Sequence, residues 1–170
     1  MKKAVIVING AGGVGKDTLC DAAATSYKTR NISTITPIKE IAAQCGWNGA
    51  KDNKSRKFLS DMKKLCADYN DFPTNWAKAQ FDDFLTTDEE ILFVHIREGA
   101  EIAKFVAATE GVAKTLLIRG GERFNRRCGQ YGNASDDDVE NYKYDYYFNN
   151  DTSLDEAKGR FIMFLSSILK

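Results

Sequence analysis

The stretch Asn9–Thr18, NGAGGVGKDT, decides the fold, because it fits two phosphate-binding patterns that belong to different architectures. Gly10, Gly12 and Gly15 spell G-x-G-x-x-G, the fingerprint of a dinucleotide site. Gly10, Gly15 and Lys16 spell G-x-x-x-x-G-K, a loop that wraps the phosphates of a nucleoside triphosphate. Just ahead, Ala4–Ile8 (AVIVI) is an apolar run with no polar alternation, the pattern of a strand covered on both faces of a parallel sheet.

Working outward, four later runs can join that strand: Ser33–Pro37 (STITP), Ile91–Ile96 (ILFVHI), Thr115–Gly120 (TLLIRG) and Tyr144–Asn149 (YDYYFN). Helical patterns separate them. Phe58, Leu59, Met62, Leu65, Cys66 and Tyr69 fall on one helical face, and Ile102, Phe105 and Val106 begin another. Ser153, with Glu156 three residues on, caps a last helix expected to bury Leu154, Ala157, Phe161, Phe164, Leu165 and Ile168. Strands alternating with helices predict an α/β fold of three layers, with five parallel strands and helices on both faces of the sheet. Ligands in such folds bind at the carboxyl ends of the strands. The segment from Pro37 to Asp88 exceeds one crossover, reads as three helices and is expected to stand over that edge as a substrate-binding arm. The whole chain, residues 1–170, reads as one domain.

Lys plus Arg and Asp plus Glu number 24 each, so no net field points to nucleic acid or a membrane, although basic residues cluster between Arg119 and Arg127. Neither is expected as a partner. Cys20, Cys45, Cys66 and Cys128 are scattered, with no C-x-x-C pair and a single histidine, which favours reduced structural thiols over a zinc or redox site. The first apolar run is too short for a signal segment or a membrane span, and a cytoplasmic location is expected.

The dinucleotide reading requires an acidic residue at the end of the second strand, about 20 residues past the glycines, to hold ribose hydroxyls. STITP ends in Thr36 and Pro37. The phosphate-loop reading meets no such conflict. Gly10, Ala11, Gly12, Gly13, Val14 and Gly15 can turn backbone N–H groups inward, a helix starting near Lys16 adds the positive end of its dipole, and Lys16 reaches the β and γ phosphates. ATP or GTP is the favoured ligand, ATP being the expected donor, with Mg²⁺. The Ser or Thr that usually follows the lysine and binds the metal is replaced by Asp17. Asp17 is therefore the candidate metal ligand, directly or through water, or else a first-turn acid that complements the helix dipole. Thr18 is placed to bond the α-phosphate.

G-x-x-x-x-G-K-D-T after a first strand resembles the phosphate loop of phage deoxynucleoside monophosphate kinases, and animal phosphomevalonate kinase has a similar G-K-D. PIKEIA (37–42), GWNGAKDNKSRKFL (46–59), HIREGAEI (95–102) and SDDDVENYKYDYYFNND (135–151) also resemble the phage-type pattern, in order. The resemblance implies the P-loop nucleoside monophosphate kinase fold, with strand order 2-3-1-4-5, an acceptor arm over 37–88 and an arginine-bearing lid over 119–135. It implies an acceptor nucleotide gripped by Arg56 and Arg97, with Lys39 and Trp47 assisting, and Arg119 at the donor. One or two of Arg123, Arg126 and Arg127, in ERFNRRCGQ, are expected to clamp the transferring phosphoryl group with Lys16. Such transfer needs several cations around a spreading negative charge, and the sequence supplies arginines from several loops.

Some positions carry competing readings. Arg97 can instead pair with Glu98 or Glu101, and Trp47 can pack under a glycine turn rather than stack on a base. His95 stands where related kinases more often place an acid in D-x-R; it reads as a hydrogen-bonded core residue, not a ligand or base. Ser135 is expected to cap a helix opening with Asp136–Asp138, and Asn133, Tyr144 and Asp145 to lie near the adenine edge. Rival functions are a kinase for another small phosphorylated metabolite and a nucleotide-dependent switch. A switch would carry D-x-x-G and N-K-x-D, whereas Asn53, Lys54 and Ser55 are followed by Arg56. Partners are expected to be small nucleotides, with a monomer and a homodimer both open.

Overall fold

The computed structural model describes residues 2–121 and 139–169. In chain order these form β1 (Ala4–Asn9), α1 (Lys16–Ala23), β2 (Thr29–Ser33), α2 (Thr36–Gln44), α3 (Asn53–Asn70), α4 (Phe72–Thr86), β3 (Ile91–His95), α5 (Gly99–Ala108) and β4 (Lys114–Gly120). After the 3₁₀ turn Val139–Asn141 come β5 (Tyr146–Asn150) and α6 (Leu154–Ile168).

β1 is central because its side chains are apolar on both faces. Alternate residues serve opposite layers. Ile6 and Ile8 join Phe93, Leu116, Ile118 and Phe148 beneath α1 and α6, where Leu19, Phe161 and Leu165 meet them. Val5 and Val7 join Leu92, Val94 and Leu117 against Phe81 and Phe84 of α4 and Ile102 and Phe105 of α5. Each large apolar side chain buried this completely contributes roughly 1.5–3 kcal/mol. The strands pair in the order β2-β3-β1-β4-β5, all parallel. Every strand therefore ends on one edge of the sheet, which gathers Asn9, Ser33, His95, Gly120 and Asn150.

The second strand lies earlier than STITP suggests. It is Thr29–Ser33, and Pro37 falls in the first turn of α2. The fixed φ of proline suits a helix start, so Pro37 opens a helix and does not close a strand. β2 carries Arg30 and Asn31 because it is an edge strand, and Arg30 pairs there with Asp83 and Glu89. The corrected strand ends at Ser33, again without a carboxylate.

The segment 37–88 does contain three helices, α2 to α4. α3 buries none of its residues completely, although its sequence marks an apolar face. Ser153 Oγ accepts from Glu156 N at 3.4 Å, and α6 buries Ala157, Phe161 and Leu165. Leu154, expected inside, is 55% exposed because it precedes the turn that meets the sheet. Among the described residues no helix is long and apolar enough to cross a membrane.

Candidate active site at the carboxyl edge

The loop 10–15 leaves β1 and turns into α1, and its shape depends on two glycines. Gly10 has φ +154°, and a Cβ there would lie 2.6 Å from the backbone oxygen of Ile118 and 2.9 Å from Val14 Cγ2. Gly15, at φ +90°, leaves no space either: a Cβ would come within 2.7 Å of Asn150 Nδ2. That amide donates to Val14 O at 2.8 Å, fastening the loop to the end of β5. The loop is thus held from β4 and β5, and the amino end of α1, with the positive end of its dipole, opens at the turn.

Lys16 is the first residue of α1, and its ammonium lies over the loop, donating to Gly10 O at 2.6 Å and Ala11 O at 3.4 Å. Asp17 occupies the first turn and is exposed, as is Thr18. Thr18 also lines a groove of about 300 Å³ between α1 and α6, with Asp21, Ala22, Thr25, Lys158 and Ile162. The donors available to a cation are few, since no group of three His, Cys, Asp or Glu side chains converges among the described residues. One carboxylate beside a phosphate cradle fits Mg²⁺, which keeps its waters and takes most remaining ligands from substrate phosphates.

Asn9 was not singled out from sequence, yet it organises this edge. It is fully buried at the end of β1. Its Nδ2 donates to Arg97 O and to Tyr144 Oη, each at 2.9 Å, while its Oδ1 accepts from Gly10 N at 2.8 Å. One side chain therefore ties the phosphate loop to the turn that carries Arg97. A polar residue closing an apolar strand was the signal available in the sequence.

Arg97 follows β3 and is exposed. Its acidic neighbours are taken by another cation: Lys63 of α3 donates to Glu98 at 2.8 Å and to Glu101 at 2.7 Å, with side-chain exposures of 13%, 53% and 11%. Thr34 Oγ1 also donates to Glu101, at 3.2 Å. Burial pushes both carboxyls up; attraction to Lys63 and its hydrogen bond outweigh this at Glu98, whose pKa is lowered, whereas the Glu98 charge helps keep that of Glu101 raised. Arg56 lies seven residues before Lys63, close to two helical turns, so it projects from the same face of α3 about 10 Å nearer the start of the helix. The Lys63 contact ties this side of α3 to the start of α5, just after Arg97.

The remaining expected site residues are dispersed. Lys39 is exposed on α2. Trp47 packs in the α2–α3 turn, donating from Nε1 to Ala50 O at 3.1 Å. Arg119 pairs with both carboxylate oxygens of Glu140, at 3.1 and 2.8 Å, and lies 4.4 Å from the centre of the Tyr147 ring. Asp145 stands at the opposite, amino edge of the sheet, accepting from Thr115 N and Oγ1, because it precedes β5. Tyr144 is buried and spends its hydroxyl on Val139 O and Asn9. Neither residue presents itself to an adenine pocket. Arg123, Arg126, Arg127, Cys128, Asn133, Ser135 and Asp136–Asp138 lie outside the described residues.

His95 bonds Asn31 Oδ1 at 3.3 Å, and burial holds its imidazole below the ordinary range, with Asp17 opposing and Lys16 reinforcing that effect. Its ring sits between Asn31 of β2 and the charges of Lys16 and Asp17. Cys20 is buried, which with Asp17 and Asp21 pushes its thiol up to about 12 and leaves it inert as a nucleophile.

A glycine loop between the first strand and first helix, central in a 2-3-1-4-5 parallel sheet, decides the architecture. The chain has the P-loop NTPase fold. No family model matches the sequence, and no curated protein does. Solved structures do. A presumed kinase of Chloroflexus aurantiacus aligns over all of both chains at 14% identity, TM-score 0.58. Shikimate kinase of Bacteroides thetaiotaomicron aligns over 98% of each chain at 15% identity, TM-score 0.52. The APS kinase of Mycobacterium tuberculosis, solved with AMPPNP and APS, aligns over 97% of this chain and 98% of its own at 12% identity, TM-score 0.52. These P-loop proteins share the fold with this chain across nearly its full length.

Proposed function

We propose that this P-loop protein is an ATP-dependent phosphotransferase that moves the γ-phosphoryl group, with Mg²⁺, to the phosphate of a nucleoside or deoxynucleoside monophosphate. The observation that carries the reading is a glycine loop closing on Lys16 at the carboxyl edge of the sheet, with α3 tied by Lys63 to Glu98 and Glu101 just beyond that edge. The loop 10–15 and Lys16 hold the donor. Arg56 on α3 and Arg97 after β3 are assigned to the acceptor anion, since the fork geometry of a guanidinium suits phosphate. Phosphoryl transfer needs in-line placement and charge stabilisation more than covalent help, which Lys16 and arginines supplied from several loops suit. Arg123, Arg126 and Arg127 would complete the charge around the transferring group and exclude water. The kinases among the structures that share the fold support phosphoryl transfer, and the resemblance of PIKEIA, GWNGAKDNKSRKFL and HIREGAEI to phage-type kinases supports the monophosphate acceptor.

The test is coupled ADP release across a panel of ribo- and deoxyribonucleoside monophosphates, with shikimate, gluconate and APS as alternative acceptors. The expected result is turnover with at least one monophosphate, reduced by several orders of magnitude in Lys16→Ala with the fold intact. Turnover only with a non-nucleotide acceptor would move the acceptor class, and undiminished turnover in Lys16→Ala would remove the loop from the chemistry.

A further inference from the structure

α3 carries more apolar surface than its packing uses. Leu59, Met62 and Cys66 are half-buried, but Phe58, Leu65 and Tyr69 are 38%, 71% and 86% exposed. Positions 58, 62, 65 and 69 step by four, three and four, the spacing of an apolar seam along one side of a helix. At about 100° per residue this seam lies roughly a quarter-turn from the side that carries half-buried Leu59 and Cys66 and the Lys63 contact to Glu98 and Glu101.

The charges beside the seam follow the same rhythm. Lys57, Asp61, Lys64 and Asp68 line one flank, and Lys57 pairs with Asp61 and Lys64 with Asp68 within the helix. Such a flank is complementary to itself when reversed. Laid antiparallel on a second copy, Phe58 faces Tyr69 and Met62 faces Leu65, reciprocally, as a two-fold axis requires. The same placement sets Lys57 near Asp68 and Lys64 near Asp61, within one residue of the apolar register and within reach of a lysine. A parallel pair would need the opposite flank, which Lys63 already commits to Glu98 and Glu101.

We propose that α3 docks antiparallel against α3 of a second copy of this chain, about a two-fold axis through the middle of the helix. An 18-residue helix is about 27 Å long, and two such helices packed along their length bury on the order of 1,000 Å², the low end of specific interfaces. An interface of that size suits a weak, reversible dimer. This inference is independent of the reaction the protein catalyses.

Sedimentation velocity on the full chain, from about 1 μM to about 1 mM, spans the range such an interface sets. The wild type is expected to pass from monomer to dimer, less readily at high salt. Asp61→Lys/Asp68→Lys makes the flank wholly basic, and Lys57→Asp/Lys64→Asp makes it wholly acidic. Each double variant should dimerise at least tenfold more weakly, an equimolar mixture of the two should form the heterodimer, and the fourfold exchange should restore self-association. All four side chains are exposed, and circular dichroism checks that each variant folds. A wild type that stays monomeric at the highest concentration overturns the proposal. So does a dimer whose affinity ignores the charge reversals, because it would use another surface.

Discussion

Gly10→Ala separates steric closure of the phosphate loop from backbone conformation, provided it is compared with Gly13→Ala. Both positions have positive φ, +154° and +80°. A Cβ at Gly13 meets nothing within 4 Å, so alanine there bears only the left-handed backbone penalty, about 1–2 kcal/mol. At Gly10 the added carbon comes 2.6 Å from a main-chain oxygen, Ile118 O, and 2.9 Å from Val14 Cγ2. Ile118 is in a central strand, so the loop must give way, and overpacking adds about 1–3 kcal/mol. Together the two effects reach roughly 2–5 kcal/mol, or a melting point lower by about 5–15 °C for a domain of this size. Urea denaturation and differential scanning calorimetry of the two variants read the difference directly. Equal stability for Gly10→Ala and Gly13→Ala would refute the steric argument and with it the loop's close seat on β4.

Three further outcomes are expected. Lys63→Met should raise the acceptor KM about tenfold while leaving the ATP KM unchanged, with partial rescue by Lys63→Arg; equal effects on both substrates would show that Lys63 does not act through the arm. Asn9→Leu leaves Arg97 O and Gly10 N without their partner and should lower stability by about 1–3 kcal/mol, which chemical denaturation measures; an unchanged midpoint would deny Asn9 its linking role. His95 is held below its usual pKa by burial, so the unfolded chain takes up its proton first as pH falls. Stability should therefore decline on acidification from about pH 6.5, and His95→Gln should flatten that decline in a pH series of urea titrations. A slope the same as wild type would place the acid sensitivity elsewhere.

What sequence made legible was set by local chemistry. Uninterrupted apolar β-branched runs such as AVIVI identify strands buried on both faces, and the alternation with helical patterns leaves one handed way to connect them. The glycine loop was equally readable, because G-x-x-x-x-G-K specifies backbone turns and charge together. β2 was misplaced because its real residues, TRNIS, are polar: an edge strand hydrogen-bonds on one side only and keeps charges that Asp83 and Glu89 then satisfy. The apolar face of α3 suggested burial, but a helical period reports a face and not what covers it. Asn9, Asn150 and Lys63 escaped notice for a different reason. Their importance comes from partners 88, 136 and 35 or 38 residues away, joined only by the crossovers of the sheet.

The most direct measurement is an amide ¹H–¹⁵N titration of the labelled chain with MgATP. The account predicts that the largest and earliest shifts fall on the backbone N–H groups from Gly12 to Thr18, saturating together with ADP release kinetics and vanishing in Lys16→Ala. Saturable shifts concentrated on other elements, with the loop amides unmoved, would contradict it.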